Sequence, residues 1–138
     1  VRVRRAVVDA IAAHARRDSP RECCGLLVGN EHEAIEAVAV ANVADDPLRR
    51  FLVSPEEHLA LIRRCRTRSS PESRLDVVGA YHSHPHTTAT PSATDHDQAC
   101  RDFLLVIAGP VNGTADVPVR GYRLSGTTLE EVQLVVVD

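Results

Sequence analysis

The sequence predicts an α/β domain: one mixed β-sheet flanked by helices. Three observations carry that expectation. Short apolar runs such as "CGLLVG" and "FLLVIAG" have the length and β-branched content of buried strands. Segments with apolar residues at helical spacing lie between them. Strands and helices alternate along the chain instead of segregating into halves. At 138 residues, a single domain over 1–138 is expected.

The elements follow in order. Val1–Val3 suits a short strand. Ala6–Arg17 reads as a helix with Val7, Ala10, Ile11 and His14 on one stripe, ended by Pro20. "ECCGLLVG" closes on the turn Gly29–Asn30, and "EAIEAVAVANV" supplies a partner strand for a hairpin. Phe51–Val53 is a possible short strand. In "SPEEHLALIRRCRTR", Ser54 is an N-cap, Pro55 suits the first turn and Glu57 completes a capping box. Leu59, Ile62 and Cys65 or Arg66 give that helix its stripe, to about Arg68. "RLDVVGAYHSH" reads as a strand, "SATDHDQAC" as a helix start and "DFLLVIAG" as a central strand. "VPVRGYRLSGTTLEEVQLVVV" reads as two strands joined at Ser125–Gly126.

Composition narrows function. Hydrophobic residues make up 43% of the chain, with two Phe, two Tyr and no Trp, so the core is aliphatic. A net charge of −3 points to neither nucleic acid nor membrane as partner. No apolar run reaches the length of a membrane span, and the charged N-terminal stretch is unlike a signal peptide. A cytoplasmic protein is expected. Cys23, Cys24, Cys65 and Cys100 form no C-x-x-C pair, so they read as small buried residues. All sixteen basic residues are Arg, which fits a GC-rich coding sequence.

The segment "GAYHSHPHTTATPSATDHDQA" concentrates four of the seven histidines. On a strand, residues two apart face the same way, so His82 and His84 converge while Ser83 points aside. Pro85 ends the strand and leaves the pair at its mouth. Two neutral imidazoles on one face are half of a zinc site. Asp95, in the first turn of the following helix, supplies a third ligand. Asp95 with Ser92 is equally a capping box. His96 and Asp97 compete as ligands, but at about 100° per residue Asp95 and Asp97 cannot both face one ion. His86 lies in a loop. His14, His32 and His58 read as structural or exposed.

Taken together, His82-x-His84, Ser92 and Asp95 form H-x-H-x7-S-x2-D, and "PRECCGLLVG" supplies an upstream Glu22. These two motifs resemble the signature of the JAMM metallopeptidases, also called MPN-plus. The resemblance implies a cytidine-deaminase-like α-β-α sandwich, the JAMM/MPN fold. It implies Zn2+ held by His82, His84 and Asp95. Glu22 would take a proton from the attacking water and pass it to the leaving amine, and Ser92 would donate a hydrogen bond to the oxyanion. The implied reaction is hydrolysis of an amide bond after the C-terminal Gly-Gly of a ubiquitin-like or sulfur-carrier protein. The chain is close to a minimal core, like prokaryotic members. The alternative is a non-catalytic MPN-type scaffold that binds a ubiquitin-like partner. Zinc deaminases are excluded because H-x-E and P-C-x-x-C are missing.

Overall fold

The computed structural model describes residues 1–138. Eight strands form one sheet: β1 (Arg2–Arg4), β2 (Cys24–Gly29), β3 (Glu33–Val40), β4 (Asp76–Ser83), β5 (Leu104–Ala108), β6 (Val119–Ser125), β7 (Thr128–Val132) and β8 (Val135–Val137). Their order across the sheet is β7-β6-β5-β4-β2-β3-β1-β8. β2 is antiparallel to both β3 and β4, whereas β4 and β5 are parallel. The sheet is therefore mixed, as its sequence suggests.

Helices cover both faces. α1 (Arg5–Asp18) lies against one face and buries Val7, Ile11, His14 and Ala15, spaced i, i+4, i+7 and i+8. Ala10, expected on that stripe, is exposed. These side chains join Val3, Cys23, Leu27, Tyr81, Leu104 and Val106 in the larger core cluster. α2 (Pro55–Arg68) covers the other face with Leu61 and Cys65, against Cys24, Leu26, Val28 and Val40. Of the expected stripe, Cys65 is buried and Ile62 partly so, but Leu59 is exposed, because the helix presents its Leu61 edge to the sheet. No helix is long and apolar enough to cross a membrane.

Four other expectations need correction. β3 stops at Val40, so Ala41–Val43 belong to a loop, and Asn42 keeps only an isolated bridge to Val53. Ser54 accepts a hydrogen bond from the Glu57 amide, but the Glu57 carboxylate accepts from the Ala41 amide at 3.1 Å and makes no reciprocal cap. The third helix, α3, is only Ala93–Asp97. The C-terminal stretch holds three strands, since the chain leaves β7 at Val132 and crosses to the far edge, where β8 runs parallel to β1.

β2 and β4 carry the geometry that matters. Cys24 pairs with His82, Gly25 with Tyr81 and Leu26 with Ala80. Tyr81 is buried toward α1, and its hydroxyl lies 2.7 Å from Nδ1 of the buried His14. On its other side, His14 Nε2 is 3.1 Å from Asp18. Opposite Tyr81 the strand must be bare: a Cβ on Gly25 would lie 2.1 Å from the Tyr81 ring. Gly25→Ala is therefore expected to displace the ring, break the His14 bond and destabilise the fold by about 1–3 kcal/mol. Urea unfolding monitored by circular dichroism measures this; an unchanged midpoint would show that the ring can yield without loss.

Candidate active site

The register of β2 on β4 assembles the site. Beyond the Cys24–His82 pair, Ser83 N–H donates to the Cys23 carbonyl at 3.1 Å, and Cys23 N–H donates to Ser83 Oγ at 2.8 Å. The pairing thus continues one residue past the strand. Strand parity then places Glu22 and His84 on the face that carries His82, and Cys23, Ser83 and Tyr81 on the opposite one.

His82, His84 and Asp95 each bring a ligand atom to one point. His82 Nε2 is 3.2 Å from His84 Nε2 and 3.1 Å from Asp95 Oδ1, and Asp95 Oδ2 is 3.4 Å from His84 Nε2. Donors about 2.0–2.1 Å from a tetrahedral ion stand about 3.3–3.4 Å apart, so this spacing fits one zinc. The donor chemistry fits as well. His84 Nδ1 lies 2.9 Å from the Thr88 carbonyl, which can only accept, so Nδ1 carries the proton and a neutral ring turns its Nε2 lone pair inward. A cation is the natural occupant between two facing imidazole nitrogens and a carboxylate.

Each ligand is held from behind. The His82 ring is fully buried and stacks on Phe51 at 4.2 Å between centroids, 16° from parallel. Its Nδ1 has no hydrogen-bond partner, so the Phe51 face orients this ring. The loop between His84 and Ser92 is anchored where Tyr122 donates its hydroxyl proton to the Ala89 carbonyl. Asp95 and Ser92 form the reciprocal cap: Asp95 N–H donates to Ser92 Oγ at 3.1 Å, and Ser92 N–H donates to Asp95 Oδ2 at 2.8 Å. The sequence left open whether Ser92 caps its helix or serves a reaction. Geometry makes the two compatible, since the cap uses Oγ as an acceptor and leaves its proton free to donate.

The electrostatics follow from burial and proximity. Burial alone would raise the Asp95 pKa, but the neighbouring His82 and His84 imidazoles and the hydrogen bond from the Ser92 amide hold it well below the usual carboxylate range. Burial lowers His82 against the pull of Asp95. His84 is also opposed by burial, yet Asp95 and the Thr88 carbonyl raise it overall. Glu22 is pushed up to about 7, chiefly by burial; His84 opposes this, and Asp95 and Asp46 reinforce it.

Glu22, His84, Ser92 and Asp95 line one cleft of about 320 Å³, with Leu48–Phe51 and Pro85–Thr87 on its rims. His86 sits exposed at this rim. Asp97 is exposed, and His96 turns away to accept from the Leu129 amide at 3.3 Å. Past Phe51 and Asp95, which both spaces share, lies an apolar pocket of about 210 Å³ against Leu26, Ala80, Phe103, Leu105 and Leu129. Cys100 is at this pocket and is exposed, contrary to the expectation for all four cysteines; the other three are buried. Sequence reasoning missed Phe51, Asn42 and the Thr88 carbonyl. The run Phe51–Val53 reads as a short strand, of which the structure keeps only the isolated bridge at Val53, so no local signal marked Phe51.

Comparison with known proteins places these features. A family model for prokaryotic homologs of the JAB domain matches residues 4–124. Desampylase of Haloferax volcanii is 36% identical over 135 residues, covering 93% of this chain and 90% of that protein. CysO-cysteine peptidase of Mycobacterium tuberculosis is 31% identical over 137 residues, covering 97% and 90%. A JAB1/MPN domain protein from Archaeoglobus fulgidus superposes with a TM-score of 0.63 at 20% identity, over all of both chains. A two-faced mixed sheet bearing a His-x-His pair and a carboxylate beside a half-buried glutamate defines a JAMM-type metallopeptidase. Within that class, the chain belongs to the prokaryotic JAB-domain family.

The raised Glu22 pKa carries a stability consequence. Between its ordinary value of 4.5 and about 7, the folded metal-free protein retains a proton that the unfolded chain has lost. Stability therefore falls as pH rises through that window. In metal-free Glu22→Gln this part of the fall should vanish, making the variant the more stable form above pH 7. Urea titrations of both proteins across the window test it; parallel curves would refute the assignment.

Proposed function

We propose that this chain is a zinc-dependent peptidase that hydrolyses the amide bond after the C-terminal Gly-Gly of a ubiquitin-like or sulfur-carrier protein. The observation that carries the reading is the convergence of His82 Nε2, His84 Nε2 and the Asp95 carboxylate, with ligand atoms within 4.8 Å of one another, beside a cleft that also holds Glu22 and Ser92. Relatives known as desampylase and CysO-cysteine peptidase support a small-protein conjugate as the substrate class.

In this reading His82, His84 and Asp95 hold Zn2+. When bound, zinc would supply Lewis acidity that lowers the pKa of water to about 7. The chain's own residues do the rest. Glu22, as carboxylate, takes a proton from the attacking water and passes it to the amine as the C–N bond breaks. Its elevated proton affinity suits both halves of that transfer. Ser92 donates its free proton to the carbonyl oxygen as charge develops there. The tail lies extended between the rims at Leu48–Phe51 and Pro85–Thr87, where glycine passes most readily.

The test uses a ubiquitin-fold carrier whose terminal Gly-Gly is joined either to cysteine or to the Nε of a lysine peptide. Zinc-loaded wild type is expected to release the carrier, with products identified by mass spectrometry. Glu22→Gln should retain zinc and lose roughly 10²- to 10⁴-fold in kcat. A Glu22→Gln variant as active as wild type would overturn the proton-transfer role. If the zinc-loaded protein binds both conjugates but cleaves neither, the scaffold reading replaces the peptidase.

A second expectation concerns the tail. On the reading that space between the rims selects glycine, changing the last glycine of the carrier to alanine should reduce kcat/KM by at least about tenfold. Equal cleavage of both carriers would remove the argument that glycine is selected by space.

A further inference from the structure

We propose that Asn42 is a positioning residue for catalysis: one side chain that fixes both Glu22 and the Phe51 ring behind His82. This rests on the reading of Glu22 as the proton-transfer group. Asn42 stands two residues past the end of β3, on no catalytic surface of its own, and is half-buried. Its amide makes four hydrogen bonds. Nδ2 donates to the Glu22 carbonyl at 2.9 Å and to the Arg50 carbonyl at 3.0 Å. Oδ1 accepts from the Ala44 and Leu52 amides, each at 3.0 Å. Two donors and two acceptor sites are the full capacity of a carboxamide, and all are used.

The placement of those bonds gives the role. Glu22 lies outside the sheet, since β2 begins at Cys24. Its backbone is held instead by the loop: the carbonyl by Asn42, and the amide by the Pro47 carbonyl at 2.8 Å. At the other end, Arg50 and Leu52 are the two neighbours of Phe51, so Asn42 clamps the backbone on both sides of the ring that stacks on His82. The proton-transfer group and the back wall of a metal ligand are thereby referenced to one side chain. A substitution that frees Glu22 by an ångström leaves His82, His84 and Asp95 on their own strand and helix, but costs alignment, for which losses near 10²-fold are typical.

Asn42→Asp separates the halves. It keeps an acceptor for Ala44 and Leu52, but replaces the donor with an oxygen that repels the Glu22 and Arg50 carbonyls. The expected result, with the carrier–cysteine conjugate, is a 10- to 100-fold fall in kcat. KM should stay within about twofold, with one zinc per chain by elemental analysis and an unchanged folded fraction by circular dichroism. Asn42→Ser, small and able to donate once, should show the same split with a smaller loss, and it serves if the aspartate variant does not fold. Full activity in both variants alongside an inactive Glu22→Gln would overturn the positioning role and leave the role of Glu22 standing. A fall in kcat that only tracks lost zinc or lost folded protein would overturn it as well. An active Glu22→Gln would instead strike the underlying reading.

Discussion

Everything at this site depends on the antiparallel pairing of β2 with β4. A hydrogen-bonded ladder fixes residues along two strands to fractions of an ångström, and its period of two decides which side chains share a face. The Cys24–His82 pair, extended by the two Cys23–Ser83 hydrogen bonds, puts Glu22 beside His84 although sixty positions separate Glu22 from His82. A slip of one residue would turn Glu22 toward α1 and empty the cleft of its carboxylate. The buried bond between Ser83 Oγ and the Cys23 amide guards against that slip, because a slipped register would leave both groups buried and unpartnered.

The remaining pieces come from two loops, and each is locked by hydrogen bonds to backbone atoms. Residues 85–91 are fixed by His84 on the Thr88 carbonyl and by Tyr122 on the Ala89 carbonyl. Residues 41–53 are fixed by Asn42, by the Val43–Leu52 backbone bond and by the Glu57 carboxylate on the Ala41 amide. Loops positioned this way have the rigidity that catalytic geometry needs without belonging to regular structure. That arrangement also explains why Glu57 abandons its capping box: its carboxylate serves the loop instead of its own helix.

What was legible in the sequence followed from local rules. Helix α2 matched the signal at Ser54-Pro55, and the β2–β3 hairpin matched the Gly29–Asn30 turn. Strand period put the His-x-His pair on one face and capping chemistry started α3 at Ser92, but only the family motif joined Asp95 to the histidines. Glu22 could be reached only through a family motif, since nothing local distinguishes it from an exposed charge after a turn. Asn42 and Phe51 were illegible for a different reason. Their roles arise from contacts with Glu22, Arg50 and His82 that the fold creates, while "VAVANV" reads as uninterrupted strand. The helix stripes were half legible: apolar spacing gave the period, but Ala10 and Leu59 show that small or abundant apolar residues blur the phase.

The electrostatics of the site explain why so much of the fold is spent on holding it. Burying Glu22 near Asp95 is unfavourable without a cation. Such a constellation would relax if its supports were soft, by swinging Glu22 to water or turning a histidine outward. Here relaxation is blocked from several directions. His82 is sealed by Phe51, His84 is tied to Thr88, Asp95 is tied to the start of α3, and the Glu22 backbone is bound at both its carbonyl and its amide. The buried carboxyl groups and the inward lone pair of His84 favour a divalent ion, which would draw Glu22 toward its ionised form. Metal affinity and a poised carboxylate therefore share one physical origin, the refusal of a rigid surround to let like groups separate.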